Sequence, residues 1–263
     1  YLPLQNLTYG VSPSALMKSE GFRDGDRIID VEGRDLKTLQ DVSLAILIDG
    51  AHSVTVERED PATGKLEKKE IALSADIQER ILEKNDKVLF SPRFPFYVDS
   101  VLPGNNAIKT GSFRKGDRIV AVNGRPARYF QDFVEAVKGR KDQPVEVTLL
   151  RQGHEVRVPV EVDENGIVGL APKPPSDYFQ FATEKYSFFS SIPAGIKYGW
   201  QRLKDNISSF KLLGSKAGMK QMGGLIAMSK AYGPHWIWQR FWEMTAFLSL
   251  ALAVLNILPI PAL

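Results

Sequence analysis

Apolar and polar positions follow one order twice along this chain, and then the pattern changes. Between residues 27 and 73, short β-branched runs (Ile28, Ile29 and Val31; Val54 and Val56; Ile71) surround a stretch in which Leu39, Val42 and Ile46 share one helical face. Between residues 118 and 162 the same signals return. Ile119, Val120 and Val122 make a strand, and Phe130, Phe133, Val134 and Val137 make a helical face. Two closing strands follow in each stretch. They are predicted at Ser53 to Glu59 and Leu66 to Leu73 around Asp60 to Gly64, and at Val145 to Arg151 and His154 to Val162 around Gln152-Gly153.

The two stretches align residue by residue. Asp24-Gly25-Asp26-Arg27-Ile28-Ile29-Asp30-Val31-Glu32-Gly33-Arg34 matches Lys115-Gly116-Asp117-Arg118-Ile119-Val120-Ala121-Val122-Asn123-Gly124-Arg125, an offset of 91 positions (117 minus 26). The same offset aligns Gln40-Asp41-Val42 with Gln131-Asp132-Phe133, and Val54 and Val56 with Val145 and Val147. A register held that long marks a duplicated module. Each Gly-Asp makes a tight turn, with glycine free to take positive φ. Asn123-Gly124 is a strong hairpin signal and Glu32-Gly33 a weaker one. These turn residues are read as scaffold. Each copy is expected to be a small β-barrel with a side helix, over residues 1–95 and 96–175. The opening strand of the first copy is expected before Tyr1.

After the modules the pattern becomes helical. Lys173-Pro174-Pro175 reads as a stiff linker. Ile192, Ile196, Trp200, Leu203, Ile207 and Phe210 then recur at helical spacing, opposite Lys197, Gln201, Lys204, Asp205, Ser208 and Lys211. Residues 176–238 are therefore predicted to hold a linker and an amphipathic helix. That helix either covers a soluble core or lies at a membrane surface with its apolar face in lipid. Small residues around Gly223-Gly224 permit close backbone approach, and Trp236, Trp238 and Trp242 cluster as interfacial anchors do. Met244 to Leu263 carries no charged residue, and about 20 helical residues cover roughly 30 Å, one hydrocarbon thickness. Residues 239–263 are read as a transmembrane helix broken at its end by Asn256, Pro259 and Pro261. Such breaks persist in membranes where protein or a wet cavity satisfies the freed backbone groups. The fold class is α+β: two barrels with side helices, followed by a membrane-associated helical region.

Composition narrows the functions. A net charge of +3 offers no electrostatic case for nucleic acid. Cysteine is absent, which removes thiol chemistry and Cys-ligated zinc. His52, His154 and His235 stand apart without metal-ligand spacing, so no metal ligand is assigned in this chain. Tyr1 is not a start methionine and Leu263 ends inside an apolar run, so the chain is expected to be a piece of a longer polypeptide.

The G-D-R-I-hydrophobic-x-V-x-G pattern followed by a helix resembles the PDZ domain, above all its bacterial form. The resemblance implies a groove for an extended peptide beside a strand edge and a helix. The candidates for that groove are Val88, Leu89 and Phe90 in the first copy and Val168, Gly169 and Leu170 in the second. Asn256-x-x-Pro259-x-Pro261-x-Leu263 resembles the third-helix signature of the site-2 proteases, the intramembrane zinc metalloproteases. The order of modules, amphipathic helix, Gly-Gly-Leu-Ile-Ala-Met stretch and apolar span resembles the regulator-of-sigma-E members. This resemblance implies a Zn(2+) held by an H-E-x-x-H helix and an aspartate, neither present here, so the piece itself is expected to be inactive. It also implies substrate-backbone binding at Asn256, shaped by Pro259 and Pro261; the alternative for Asn256 is a helix-helix hydrogen bond. It further implies a bacterial inner-membrane location with the modules on the periplasmic side. The substrates would be transmembrane proteins such as trimmed anti-sigma factors, with the module pair gating access. The rival reading is a non-enzymatic, membrane-anchored PDZ scaffold of an envelope or secretion system.

Overall fold

The computed structural model describes residues 1–60, 62–86, 88–102, 107, 112–164 and 166–213, with scattered positions between 238 and 252; over 201–213 only the backbone is described. It divides into two compact units. The first comprises Tyr1–Ser43, Ala51–Ser74 and Lys87–Thr183, and the second Leu44–Gly50, Ala75–Asp86 and Glu184–Leu263.

In the first module, β1 (Val11–Pro13) leads through α1 (Ala15–Ser19) to β2 (Arg27–Asp30), α2 (Leu39–Leu47), β3 (Ser53–Glu59) and β4 (Leu66–Ala72). β2, β3 and β4 form one antiparallel sheet in that order, and β1 pairs with β5 (Phe90–Pro92). Alternation decides which way β3 faces: Val54 and Val56 are buried while Ser53, Thr55 and Glu57 are not. The opening strand thus lies inside the chain, at β1, and not before Tyr1. Its Val11 amide donates to Asp26 O, and Gly25 N donates back to Val11 O. Val98 holds the second Gly-Asp turn through the same pair of bonds, to Asp117 O and from Gly116 N. Val11 and Val98 are 87 positions apart (98 minus 11), four short of the duplicated register. That slip hides the strand from a gapless alignment.

The second module runs from β6 (Val98–Val101) to β7 (Arg118–Val122), β8 (Arg125–Pro126), α4 (Phe130–Val137), β9 (Pro144–Arg151), β10 (His154–Glu161) and β11 (Leu170–Pro172). Its four-stranded sheet has the order β10-β9-β7-β8, and β11 pairs with β6. Val145, Val147 and Leu149 of β9 face inward with Ile119, Val122, Val158 and Val160, and Phe96 and Phe133 fill the space under the helix. Asn123 and Gly124 both take positive φ, 48° and 73°, as a two-residue hairpin turn requires.

The aspartates of the two Gly-Asp turns carry more than a turn. Asp26 is 1% exposed and Asp117 2%. Asp117 accepts from Arg114 N and, on both oxygens, from Arg151 at 2.8 and 2.7 Å. Asp26 does the same with Arg23 N and with Arg58 at 2.7 Å on both oxygens. Each pair ties the turn to the neighbouring strand of its sheet, β3 in the first module and β9 in the second, and each aspartate raises the pKa of its arginine by hydrogen bonding.

Residues 176–183, expected to be a linker, belong to the first unit. Tyr1 N and Ala182 O, and Ala182 N and Tyr1 O, are bonded at 2.9 Å, and Phe179 is buried. An apolar side chain and a backbone ladder convert the linker into a strap.

In the second unit, α3 (Ile77–Glu83) buries Ile77 and Ile81, and Gln78 Nε2 donates to Leu47 O at 2.8 Å. The 26-residue α5 (Phe188–Leu213) lies where helical spacing placed it. It exposes Phe189 (83%), Ile196 (68%) and Trp200 (60%). No helix of the described residues is long and apolar enough to cross a membrane. Most of the apolar run from Met244, including Asn256, Pro259 and Pro261, lies outside the described residues.

Candidate functional site: a groove between α4 and β11

One edge of β11 is taken by β6, and the other has no strand partner among the described residues. Beside that free edge runs α4. Between them lies a groove of about 370 Å³, lined by Phe130, Phe133, Val134 and Val137 of the helix and by the Gly166 to Leu170 loop and strand. The volume suits a few side chains of a ligand. Phe133, Val137, Val168 and Leu170 form a buried floor, while Val134 (45%) and Ile167 (48%) remain open on opposite walls.

The loop owes its shape to two glycines. Gly166 and Gly169 have φ of +80° and +87°, a backbone region that costs other residues. Ile167 N donates to Asp163 Oδ1 at 2.7 Å, and Leu102 N donates to Gly169 O at 2.8 Å. Ala107 N donates to Val168 O at 3.2 Å, so the loop is held at its middle as well as at both ends, with its apolar side chains against the helix. The start of α4 is fixed by Asp132, whose carboxylate accepts from Tyr129 N at 3.2 Å. In the first module Asp41 plays the same part, accepting from Lys37 N and Thr38 N. Lys138 and Lys141 stand at the far end of α4, and among the described residues no acidic side chain lines the groove.

Val168, Gly169 and Leu170, the second-copy candidates, all line this groove. The helix face that completes it was visible in the sequence as Phe130, Phe133, Val134 and Val137, but only as a packing face. Lys138 and Lys141 were missed, because nothing local distinguishes them from other surface lysines. In the first copy, Val88 is exposed while Leu89 and Phe90 are buried. Ser14 N donates to Leu89 O as Leu102 N does to Gly169 O. A buried leucine thus stands where the second module has a positive-φ glycine.

No group of three or more His, Cys, Asp or Glu side chains among the described residues is arranged to hold a metal ion. The 263 residues contain no H-E-x-x-H. The described residues therefore offer no ligand set for a zinc ion.

The fold and site define a pair of α/β modules, one with an open apolar groove, followed by an amphipathic helix. Residues 7–263 match peptidase family M50, and the chain belongs to that family. Among curated relatives it is 24% identical over 272 residues to a candidate zinc metalloprotease of Neisseria meningitidis, covering 96% of this chain and 60% of the relative. It is 27% identical to the regulator of sigma-E protease RseP of Escherichia coli over 184 residues, 65% of this chain and 40% of the relative. The regulator of sigma E protease of Salmonella typhimurium is 26% identical over 63% of this chain and 39% of its own length. The chain thus spans about 40 to 60% of these relatives. Among solved structures, the PDZ domain of the SdrC-like protein from Listeria monocytogenes has a TM-score of 0.26 at 15% identity, covering 30% of this chain and 87% of its own. Its Listeria innocua counterpart has a TM-score of 0.27 at 20% identity, covering 31% and 96%.

Proposed function

We propose that this chain is the substrate-selecting part of an intramembrane zinc metalloprotease. The groove beside β11 receives an extended segment of the substrate, adding it as a strand to the free edge and seating an apolar side chain between Val134 and Val168. The carrying observation is that groove: an unpaired strand edge, an apolar helix face and a glycine-shaped loop converge on one cleft. Membership of peptidase family M50 supports the protease reading over a non-enzymatic scaffold. Zinc ligands and catalysis belong to parts of the longer protein not contained in these residues.

In this reading the modules sit on the periplasmic side of a bacterial inner membrane. There they admit transmembrane proteins whose outer domains have been trimmed, such as anti-sigma factors. The exposed aromatic face of α5 supports a seat for that helix at the bilayer surface, with Phe188, Phe189, Ile192 and Ile196 toward lipid. Asn256 holds substrate backbone, and Pro259 and Pro261 shape the break that exposes it.

The groove is tested with the whole chain in micelles and a fluoresceinated octapeptide bearing a C-terminal valine and a free carboxylate. Binding is expected, and Val134→Glu is expected to abolish it, because Val134 is half-exposed and tolerates a charge without unfolding the module. Equal binding by Val134→Glu overturns the groove reading.

A further inference from the structure

The groove helix has a second face, and the first module is docked on it. Arg93, one residue beyond β5, lays its guanidinium 3.6 Å from the centre of the Tyr129 ring and approaches Asp132 at 3.7 Å. Gln131 donates through Nε2 to Pro92 O at the end of β5. Lys18 of α1 reaches Glu135 at 3.3 Å while also holding Asp24 at 2.8 Å. Tyr129, Gln131, Asp132 and Glu135 are thus the residues of α4 and its cap that meet the first module, whereas Phe133, Val134 and Val137 line the groove. Phe130 belongs to the groove wall and also stacks on Phe94 of the connection between modules, at 5.4 Å and 11°. A shift of the first module is therefore delivered directly to the α4 wall of the groove, and to β11 only through the strap of residues 176–182 that follows it.

The junction is not sealed in the way a dry core is. Arg93 Nε and Gln131 Oε1 are buried without a hydrogen-bond partner. Such atoms are rare in packed interiors, and each lowers the net gain of closing the junction because its desolvation is not offset by a hydrogen bond to protein.

We propose that the first module is a positioning element for the groove of the second: docking through Arg93 sets the separation of α4 from β11, and hence peptide affinity. Arg93 is the positioning residue, acting through Tyr129 and Asp132 without touching ligand. The proposal rests on the groove reading above and assigns the first module a role that requires no ligand of its own.

The test uses the whole chain and the octapeptide already named, well below the unfolding temperature. Arg93→Ala is expected to weaken peptide binding about five- to tenfold, within the usual range of a coupling between sites. Arg93→Lys, which keeps a cation over the ring, is expected to recover part of it. Because the chain has no cysteine, Lys18→Cys with Glu135→Cys can be joined across the junction by a short bis-maleimide. That link is expected to restore near-normal affinity in the Arg93→Ala background. A merely structural role for Arg93 lowers the melting temperature without changing cold affinity, and that outcome overturns the proposal while leaving the groove intact. Weakened binding that the cross-link fails to restore also overturns it. Absence of peptide binding by the unaltered chain takes down both the groove reading and this proposal.

Discussion

Replacing Arg151 by alanine leaves the Asp117 carboxylate, 2% exposed, with Arg114 N in place of a two-pronged guanidinium. The arginine also donates to Ser112 O at 2.6 Å, so three charge-assisted hydrogen bonds go at once. Removing one partner of a buried pair costs about 3–5 kcal/mol, because the stranded charge keeps its desolvation penalty. Arg151 is itself 22% exposed, and water reaching that side moves the expectation to the lower end, about 3 kcal/mol. An internal control joins β9 to the neighbouring β10. Arg157 meets Glu146 at 3.9 Å with both side chains largely exposed, so Arg157→Ala should cost about 0–1 kcal/mol. The four tryptophans, Trp200, Trp236, Trp238 and Trp242, all lie outside residues 96–175 in the sequence, so their fluorescence is a poor probe of the module. Amide hydrogen exchange in β7 and β9 reads its opening free energy directly. If Arg151→Ala loosens these strands no more than Arg157→Ala does, the buried pair is not what fastens the turn to the sheet.

Three further outcomes are expected, two from the geometry of the first module and one from the proposed role of Asn256. The Glu32 carboxyl is held below its ordinary range by the His52 amide first and then by the Ser53 amide. A depressed carboxylate stabilises above its unfolded pKa and loses that contribution as pH falls through its folded one. Wild type should therefore be more stable than Glu32→Gln at neutral pH and lose that advantage as pH falls through the acid range, so the variant's stability profile between neutral and acid should be flatter. At Gly10, with φ of +68°, an added Cβ would lie 2.2 Å from Gly25 O; Gly10→Ala should cost about 2 kcal/mol or more in denaturant titrations of the first module. In the longer protein, Asn256→Ala should insert normally yet fail to cleave a test transmembrane substrate, as read by gel shift.

Much of the modular plan was legible because it is local. The positive-φ glycines, the hairpin at Asn123-Gly124 and the periodicity of α2 and α4 are written in adjacent residues, and β3 begins and ends where alternation placed it. Contacts between distant residues were not legible. The partners Arg58 and Arg151 lie 32 and 34 positions from their aspartates, and no periodicity singles them out from other arginines. The strand β1 was missed because the duplicated register slips before the Gly-Asp turn. The groove was half-visible: the loop Val168-Gly169-Leu170 and the face of α4 each gave a signal, but their approach is a tertiary fact. The docking of Arg93 on Tyr129 gave none, since an arginine between two prolines and two phenylalanines reads as connector.

The most direct test of the central claim is a competition between two transmembrane substrates in the reconstituted longer protein. One carries a short unfolded outer segment with a free carboxylate, the other the same helix behind a folded domain. The proposal predicts a strong preference for the trimmed substrate in kcat/KM, and a collapse of that preference in Val134→Glu with zinc content unchanged. An identical preference in wild type and Val134→Glu would contradict it.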